Sequence, residues 1–358
     1  MIYLAGISIA VFFEFLLISK KNKTEPDKIL VLWMFLVTVH LFLFYISFIE
    51  EIYNYPFLLG VNLPLPLLHG VFLYLYVGSV TNQLPARKNI LGIHFIPAIV
   101  TYLYLIAFFI LPADQKILVF KNRGAGYEVF NTIRVIATGL SGIVYVTWSG
   151  LLLRKHRRRI LDKFSYQEKI DLQWLRILTW GLGGIWLLIF VRDDTAVFGG
   201  AAVLVFLIGF FGIRQARIFA PEQVPVSEQE QKGKYAKSGL TRDLSEKLYQ
   251  ELIRLMNEEA IYRKNDLSAD DLASRLKTHP NYLSQIINEK EGQNFYDFVN
   301  HYRVEEFKRI VANPNNLNVT LLSLAFDCGF NSKSSFNRYF KKATGQTPSE
   351  YFANLTKS

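Results

Sequence analysis

The chemistry legible in this chain is directional hydrogen bonding by amide, hydroxyl and cationic side chains set on a helical frame. The richest stretch is VTLLSLAFDCGFNSKSSFNRYFKKATGQTPSEY, residues 319–351. Leu321, Leu324 and Ala325 recur at helical spacing, Gly329 is placed to take the left-handed conformation that ends a helix, and Ser332 is placed to cap the next. That next helix would bury Phe336, Tyr339 and Phe340 and leave Lys333, Ser334, Asn337, Arg338 and Lys341 outside. An Asn amide matches adenine and an Arg or Lys matches guanine in the major groove, each good pair discriminating by about 1–3 kcal/mol. The pattern predicts recognition.

The device occurs twice. In ADDLASRLKTHPNYLSQIINEKEGQNF, Leu272-Ala273, Leu283 and Gly292 answer to Leu324-Ala325, Phe336 and Gly345, with the later turn one residue longer. Between the copies, FYDFVNHYRVEEFKRIV predicts a long amphipathic spacer helix whose Phe295, Phe298, Val299, Tyr302, Phe307, Ile310 and Val311 pack against both modules. Upstream, Leu244, Leu248, Leu252, Leu255 and Met256 share one helical face and suit the core of the first module.

On the segments NFYDFVNHYRVEEFKRI and AFDCGFNSKSSFNRYFKKATGQTPSEY and on the unequal turns, residues from about Leu244 to Leu355 resemble the AraC/XylS-type DNA-binding domain of bacterial transcription regulators. The resemblance implies two helix-turn-helix modules, about 268–292 and 320–345, entering successive major grooves about 34 Å apart. By position it places Asn281, Ser284 and Gln285 of the first module, and Lys333, Ser334, Asn337 and Arg338 of the second, at base edges. It places Arg303 and Lys341 on phosphates, which position without specifying. The first recognition helix departs from the more basic helices of many relatives, carrying Pro280 and no Lys or Arg before Lys290. The soluble ligand-binding domain usual in that family is missing, so the resemblance supplies no effector.

The preceding two thirds has a different character. Hydrophobic residues make up 51% of the chain and aromatic residues 15%, concentrated before Ala220, which is unlike a soluble domain. Seven apolar stretches approach the length that crosses a bilayer: Ile2 to Ile18, Ile29 to Ile49, Leu58 to Val80, Ile90 to Leu111, Val129 to Leu153, Trp174 to Val191 and Thr195 to Ile213. No basic residue precedes the first, which argues against a cleaved signal. Alternate loops hold fifteen Lys and Arg, clustered at Lys20 to Lys28 and Arg154 to Lys169, against four, Lys116, Lys121, Arg123 and Arg192. That asymmetry predicts an N-terminus outside and a C-terminus in the cytoplasm of a bacterial inner membrane. The longest outside loop, Pro112 to Glu128, is too short for a folded sensor.

The net charge is +10. From Thr241 onward sixteen Lys and Arg face fifteen Asp and Glu, so most of the excess reflects membrane topology, and a DNA footprint must come from local clustering at Lys333, Arg338, Lys341 and Lys342. Cys328 is the only cysteine, which excludes an internal disulfide or a thiolate zinc site and suits a small buried side chain. PEQVPVSEQEQKGKYAKSG, residues 221–239, is polar and aperiodic and reads as a linker.

Within the apolar segments, Glu14, His40, His69, His94, Arg134 and Arg176 are ionisable. His40 and His69 lie deepest, near Asn62, Pro64 and Pro66, and make a candidate sensor pocket. Gly139-Leu140-Ser141-Gly142 matches the GxSG of rhomboid intramembrane proteases, but no histidine follows on a later apolar segment, so the match reads as small-residue helix packing. No catalytic set, metal site or cofactor is expected.

These readings predict an all-α chain: a seven-helix transmembrane bundle over 1–219, a flexible linker over 220–240, and an AraC-type domain over 241–358. The expected function is a membrane-tethered, sequence-specific transcription regulator. The alternatives are a transporter-like bundle with a fused regulatory domain, and an anchor from which proteolysis releases the domain. Expected partners are double-stranded DNA at a bipartite promoter site, membrane lipids, RNA polymerase, a second copy in a homodimer, and an unidentified ligand or membrane partner.

Overall fold

A computed structural model describes residues 2–166, 172–191, 194–214, 240–313 and 319–355. The linker expected over 220–240 lies outside the described residues apart from Leu240, as do Lys169, Arg192 and Arg217 of the charge asymmetry. The described residues are helical, with one isolated antiparallel bridge between Phe164 and Ser268. They form two compact units: Met1–Arg154 with Leu172–Val224, and Lys155–Asp171 with Pro225–Ser358.

The first unit contains α1 (Ile2–Ser19), α2 (Glu25–Phe48), α3 (Leu65–Val80), α4 (Ile96–Tyr104), α5 (Ile106–Phe109), α6 (Ala113–Lys121), most of α7 (Glu128–Lys163), α8 (Gln173–Val191) and α9 (Asp194–Arg214). Leu17, Trp33, Leu73, Tyr76, Leu175 and Val205 meet in its main core. Small residues set the helix approaches. A Cβ on Gly6 would stand 2.8 Å from Ala202 of α9, and one on Gly142 would stand 2.1 Å from the Trp186 indole. Gly142 thus belongs to helix packing, as its sequence context implies.

Seven long spans were expected, whereas two described helices are long and apolar enough to cross a membrane, Glu25–Phe48 and Glu128–Lys163. The stretch from Ile90 to Leu111 breaks into a 3-10 segment, Lys88–Phe95, followed by α4 and α5. Pro97 lies in the first turn of α4, where its missing N–H is harmless, and it cannot continue a helix from the preceding turn. From Leu58 to Val80 only α3 is a regular α-helix, with Pro66 at its start. The loop from Pro112 to Glu128 carries α6. The 36 residues of α7 extend about 54 Å, well beyond a hydrocarbon core of about 30 Å. The division between the two units falls inside this helix, at Arg154.

The second unit adds α10 (Arg242–Asn257), α11 (Ala269–Arg275), α12 (Pro280–Glu291), α13 (Phe295–Val311), α14 (Leu321–Asp327), α15 (Lys333–Thr344) and α16 (Pro348–Leu355). Helix α13 serves two cores at once. Phe295, Phe298 and Val299 join Leu252, Met256, Leu272 and Leu283, while Tyr296, Val304 and Phe307 join Leu324, Phe336 and Phe340. Leu244, expected in the first core, is 42% exposed because α10 begins only at Arg242 and its first turn overhangs.

The two turns are closed alike. Thr278 N–H donates to Ala273 O at 2.9 Å and Phe330 N–H to Ala325 O at 3.1 Å, with the preceding residue left-handed in each, Lys277 at φ 51° and Gly329 at φ 96°. Gly329 is doubly constrained, since an added Cβ would lie 2.4 Å from Tyr262 O and 2.8 Å from Arg263 Cα. A side chain in the left-handed region costs about 1–2 kcal/mol. Gly329→Ala is therefore expected to destabilise the unit by more than about 2 kcal/mol through strain and overlap together, whereas Lys277→Gly is neutral or slightly stabilising. Chemical denaturation of the two variants checks this, and equal midpoints would refute it.

Candidate nucleic-acid interface

Helix α15 is built as a blade with one buried and one exposed edge. Ser332 Oγ accepts from the Ser335 N–H at 3.1 Å, which fixes the first turn, and Gly345 closes the last at φ 77°. Ser335, Phe336, Tyr339 and Phe340 are buried, with Phe336 between Phe307 and Phe330. Lys333, Ser334, Asn337, Arg338 and Lys341 are all exposed. The Tyr339 hydroxyl donates to Asp297 O at 2.7 Å and ties the blade to α13. Lys342 Nζ reaches Asp297 Oδ1 at 2.6 Å and lies over the Tyr339 ring, so part of the cationic cluster serves the scaffold. Arg338 Nη2 comes within 3.5 Å of the Tyr296 hydroxyl, which orients the guanidinium near the base of the blade.

The first module presents less. Leu283, Ile286 and Ile287 of α12 are core, and Asn281 is exposed after the His279 cap. Gln285 is only 8% exposed and its Nε2 donates to Glu289 Oε1 at 2.8 Å. Ser284 is half-buried, its hydroxyl donating to the Asp162 carbonyl at 3.2 Å. Two of the three residues expected at base edges in this module are thus engaged within the protein.

Arg303 requires a correction. It was expected on a phosphate, yet it is 1% exposed. Its guanidinium donates to Tyr262 O at 2.7 Å, Lys264 O at 2.7 Å, Ser165 O at 3.2 Å, Ser165 Oγ at 3.1 Å and Asn300 Oδ1 at 3.1 Å. Burial pulls this guanidinium down to about 9, which leaves it charged at neutral pH. Protein dipoles replace its hydration, and no donor is left over for a phosphate.

Sequence reasoning missed the segment that completes this site. Ser165 is 1% exposed; its N–H and its hydroxyl both donate to Leu267 O, at 3.2 and 2.7 Å, and its carbonyl accepts from Asn300 Nδ2 at 3.0 Å. Leu161 packs on the second core. The signal was present, because Ile160, Leu161 and Phe164 keep an apolar stripe beyond the basic run Lys155 to Arg159. Nearby, Arg263 forms a bidentate pair with the buried Glu306 carboxylate. Burial alone would raise that carboxyl, but the hydrogen bonds and charge of Arg263 outweigh it and hold Glu306 below the usual carboxylate range. Cys328 is fully buried and its thiol is pushed up to about 12 by burial, so it serves as packing.

In the first unit, the three residues singled out as a candidate pocket do converge. His40 Nδ1 and His69 Nε2 lie 2.9 Å apart, Trp33 Nε1 donates to His69 Nδ1 at 3.3 Å, and Asn62 lines the same cavity.

Comparison with known proteins bears on the second unit. Residues 272–354 match the family model of a helix-turn-helix domain. Over 88 residues, a quarter of this chain, the sequence is 32% identical to the HTH-type transcriptional regulator YtdP of Bacillus subtilis (strain 168), covering 11% of that protein. Over 85 residues it is 31% identical to the HTH-type transcriptional regulator YijO of Escherichia coli (strain K12), covering 24% of this chain and 29% of that one. The chain therefore spans less than a third of the length of either relative. No solved structure matches. The C-terminal part is a helix-turn-helix domain of the AraC type, similar to those of transcription regulators.

Lys333→Ala and Asn337→Ala are expected to weaken operator binding by about 1–3 kcal/mol each and to relax one base position. Lys341→Ala should weaken all sequences alike and flatten the salt dependence by about one counterion. Salt-titrated binding to randomised duplexes separates the two behaviours, and an unchanged preference in the Lys333 and Asn337 variants would remove them from the interface.

Proposed function

We propose that the chain is a membrane-anchored, sequence-specific DNA-binding transcription regulator, with its apolar unit embedded in a bacterial inner membrane and its helix-turn-helix unit in the cytoplasm. The observation that carries the reading is α15, an exposed row of Lys, Ser, Asn and Arg side chains held on a rigid apolar back by α13. Double-stranded DNA is the partner this edge fits, by base edges through Lys333, Ser334, Asn337 and Arg338 and by phosphate through Lys341. RNA polymerase and a second copy of the chain are further partners of the regulator reading.

Two features support the membrane side of the proposal. Helices α2 and α7 have the length and apolarity to span. The segment Leu161 to Ser165 follows the densest basic cluster, which charge asymmetry assigns to the cytoplasmic side, and that segment packs with the helix-turn-helix unit. Both then lie in the compartment that holds DNA.

The same packing favours unequal roles for the two modules. With Ser284 bonded to Asp162 O and Gln285 tucked beside Glu289, α12 is withheld while the end of α7 is docked, and the exposed edge of α15 does the reading. Release of the Ser165 segment would expose the second half-site reader and convert a one-groove contact into a two-groove contact.

Footprinting of the full-length protein in lipid nanodiscs tests this. The wild type should protect mainly one half-site. Ser165→Ala, which removes the hydroxyl's bonds to Leu267 O and Arg303 at an expected loss of about 1–3 kcal/mol, should extend protection to a second half-site about 34 Å away. Identical footprints would reject the withheld-helix mechanism, and a periplasmic C-terminal reporter fusion would reject the membrane-anchored regulator itself.

A further inference from the structure

The apolar unit holds a half-open cavity of about 840 Å³ lined from α2, α3, α5, α6, α7, α8 and α9, within the range of small-molecule sites, roughly 300–1,000 Å³. Its wall is mostly aliphatic and aromatic, and its charged groups are arginines, Arg123 and Arg134. Arg134 and Thr138 sit one helical turn apart on α7 and both line it. Gly142, one turn further on, underlies the indole of Trp186, which lines it too. The Thr138 hydroxyl and the Trp186 Nε1–H are buried and have no hydrogen-bond partner among the described residues. Such groups are costly to bury unless something accepts from them.

The histidine pair adds another donor. An indole N–H only donates, so His69 Nδ1 must accept from Trp33, and neutral His69 then carries its proton on Nε2. That proton points to His40 Nδ1, which leaves the His40 proton on Nε2. Arg123, held at a left-handed φ of 55° in the turn before α7, adds a second guanidinium to the wall. No Asp or Glu is among the described residues that line the cavity.

We propose that this cavity is a binding site for an amphipathic anion, a carboxylate or phosphate on an apolar body, with its head on the Arg134–Thr138–Trp186 stripe and its body among Phe44, Phe108 and Leu178. The proposal rests on reading the apolar unit as a membrane module and names the ligand class for it. Shape and apolar lining admit many molecules of this size. The donor set selects against cations, which meet two arginines, and against plain alcohols, which satisfy too few donors. The same head chemistry is found in free amphipathic acids and in anionic phospholipids.

The test uses full-length protein in phosphatidylcholine nanodiscs, with decanoate, decyl phosphate, decanol and decyltrimethylammonium as probes and tryptophan fluorescence and calorimetry as readouts. Decanoate or decyl phosphate should bind saturably and at least tenfold more tightly than decanol, with no saturable binding of the cation. Arg134→Gln should bring the anion to the level of decanol. Thr138→Val, which keeps the side-chain volume, and Trp186→Phe, which removes the indole N–H, should each weaken it severalfold. Native mass spectrometry of protein taken from membranes then separates the sources: a retained anionic phospholipid displaced by decanoate points to the bilayer, and a vacant cavity that takes decanoate points to a free acid. Equal binding of all probes, or anion binding indifferent to all three substitutions, would overturn the proposal. Operator binding is measured on the same samples, so loss of anion selectivity with intact operator binding sinks this site alone, and the reverse sinks the regulator reading alone.

Discussion

A buried cation organises the C-terminal unit. Arg303 stands on the spacer helix, out of reach of water, and a guanidinium in that position is tolerable only if oxygen atoms surround it in the plane of its fork. Tyr262 O and Lys264 O come from the loop before the first module, Asn300 Oδ1 from the preceding turn of α13, and Ser165 supplies both a carbonyl and a hydroxyl from a segment 138 residues away. The cation thus demands that this distant segment be present. Removing the segment leaves two of its N–H groups facing a void or a water, while removing the arginine takes a donor from three backbone carbonyls, of which Ser165 O keeps Asn300 and Lys264 O keeps the Leu267 N–H. The unit is therefore incomplete as residues 241–358 alone.

That dependence explains the difference between two modules whose internal construction is nearly the same. Both have a seven-residue helix, a left-handed turn residue and a twelve-residue helix ended by a left-handed glycine. What differs is the neighbour. Helix α12 lies against the end of α7, so its middle is satisfied within the protein, whereas Lys333, Ser334 and Asn337 on the edge of α15 are exposed. The polarity of the residues follows: α12 needs no cations where it meets carbonyls and apolar side chains, and α15 carries them where it meets solvent.

Sequence reasoning succeeded where the cause of structure is local. The period of Phe336, Tyr339 and Phe340, the Ser332 cap, and Gly329 at a position requiring both positive φ and the absence of a Cβ follow from residues within a few positions of one another. It failed where the cause is remote. Arg303 occupies a surface-like place in the pattern FYDFVNHYRVEEFKRIV, and nothing nearby announces the carbonyls that bury it. Ser284 is engaged for the same reason, its partner Asp162 lying far back in the chain, whereas Gln285 is turned to Glu289 one helical turn on. The stretch from Ile90 to Leu111 shows a different limit: mean hydropathy measures what surrounds a segment and is blind to whether one helix or three short ones meet that environment. His40 and His69 were found because ionisable groups in apolar segments are rare enough to be informative.

Helix α7 is where the local and the remote causes meet. Its first half turns Arg134 and Thr138 to the cavity of the apolar unit, and its end, with Phe164 and Ser165, completes the coordination of Arg303. The two ends belong to different compact units, and each is explained by its own neighbours: Thr138 lines the cavity of the apolar unit, whereas Leu161 packs on the second core of the helix-turn-helix unit.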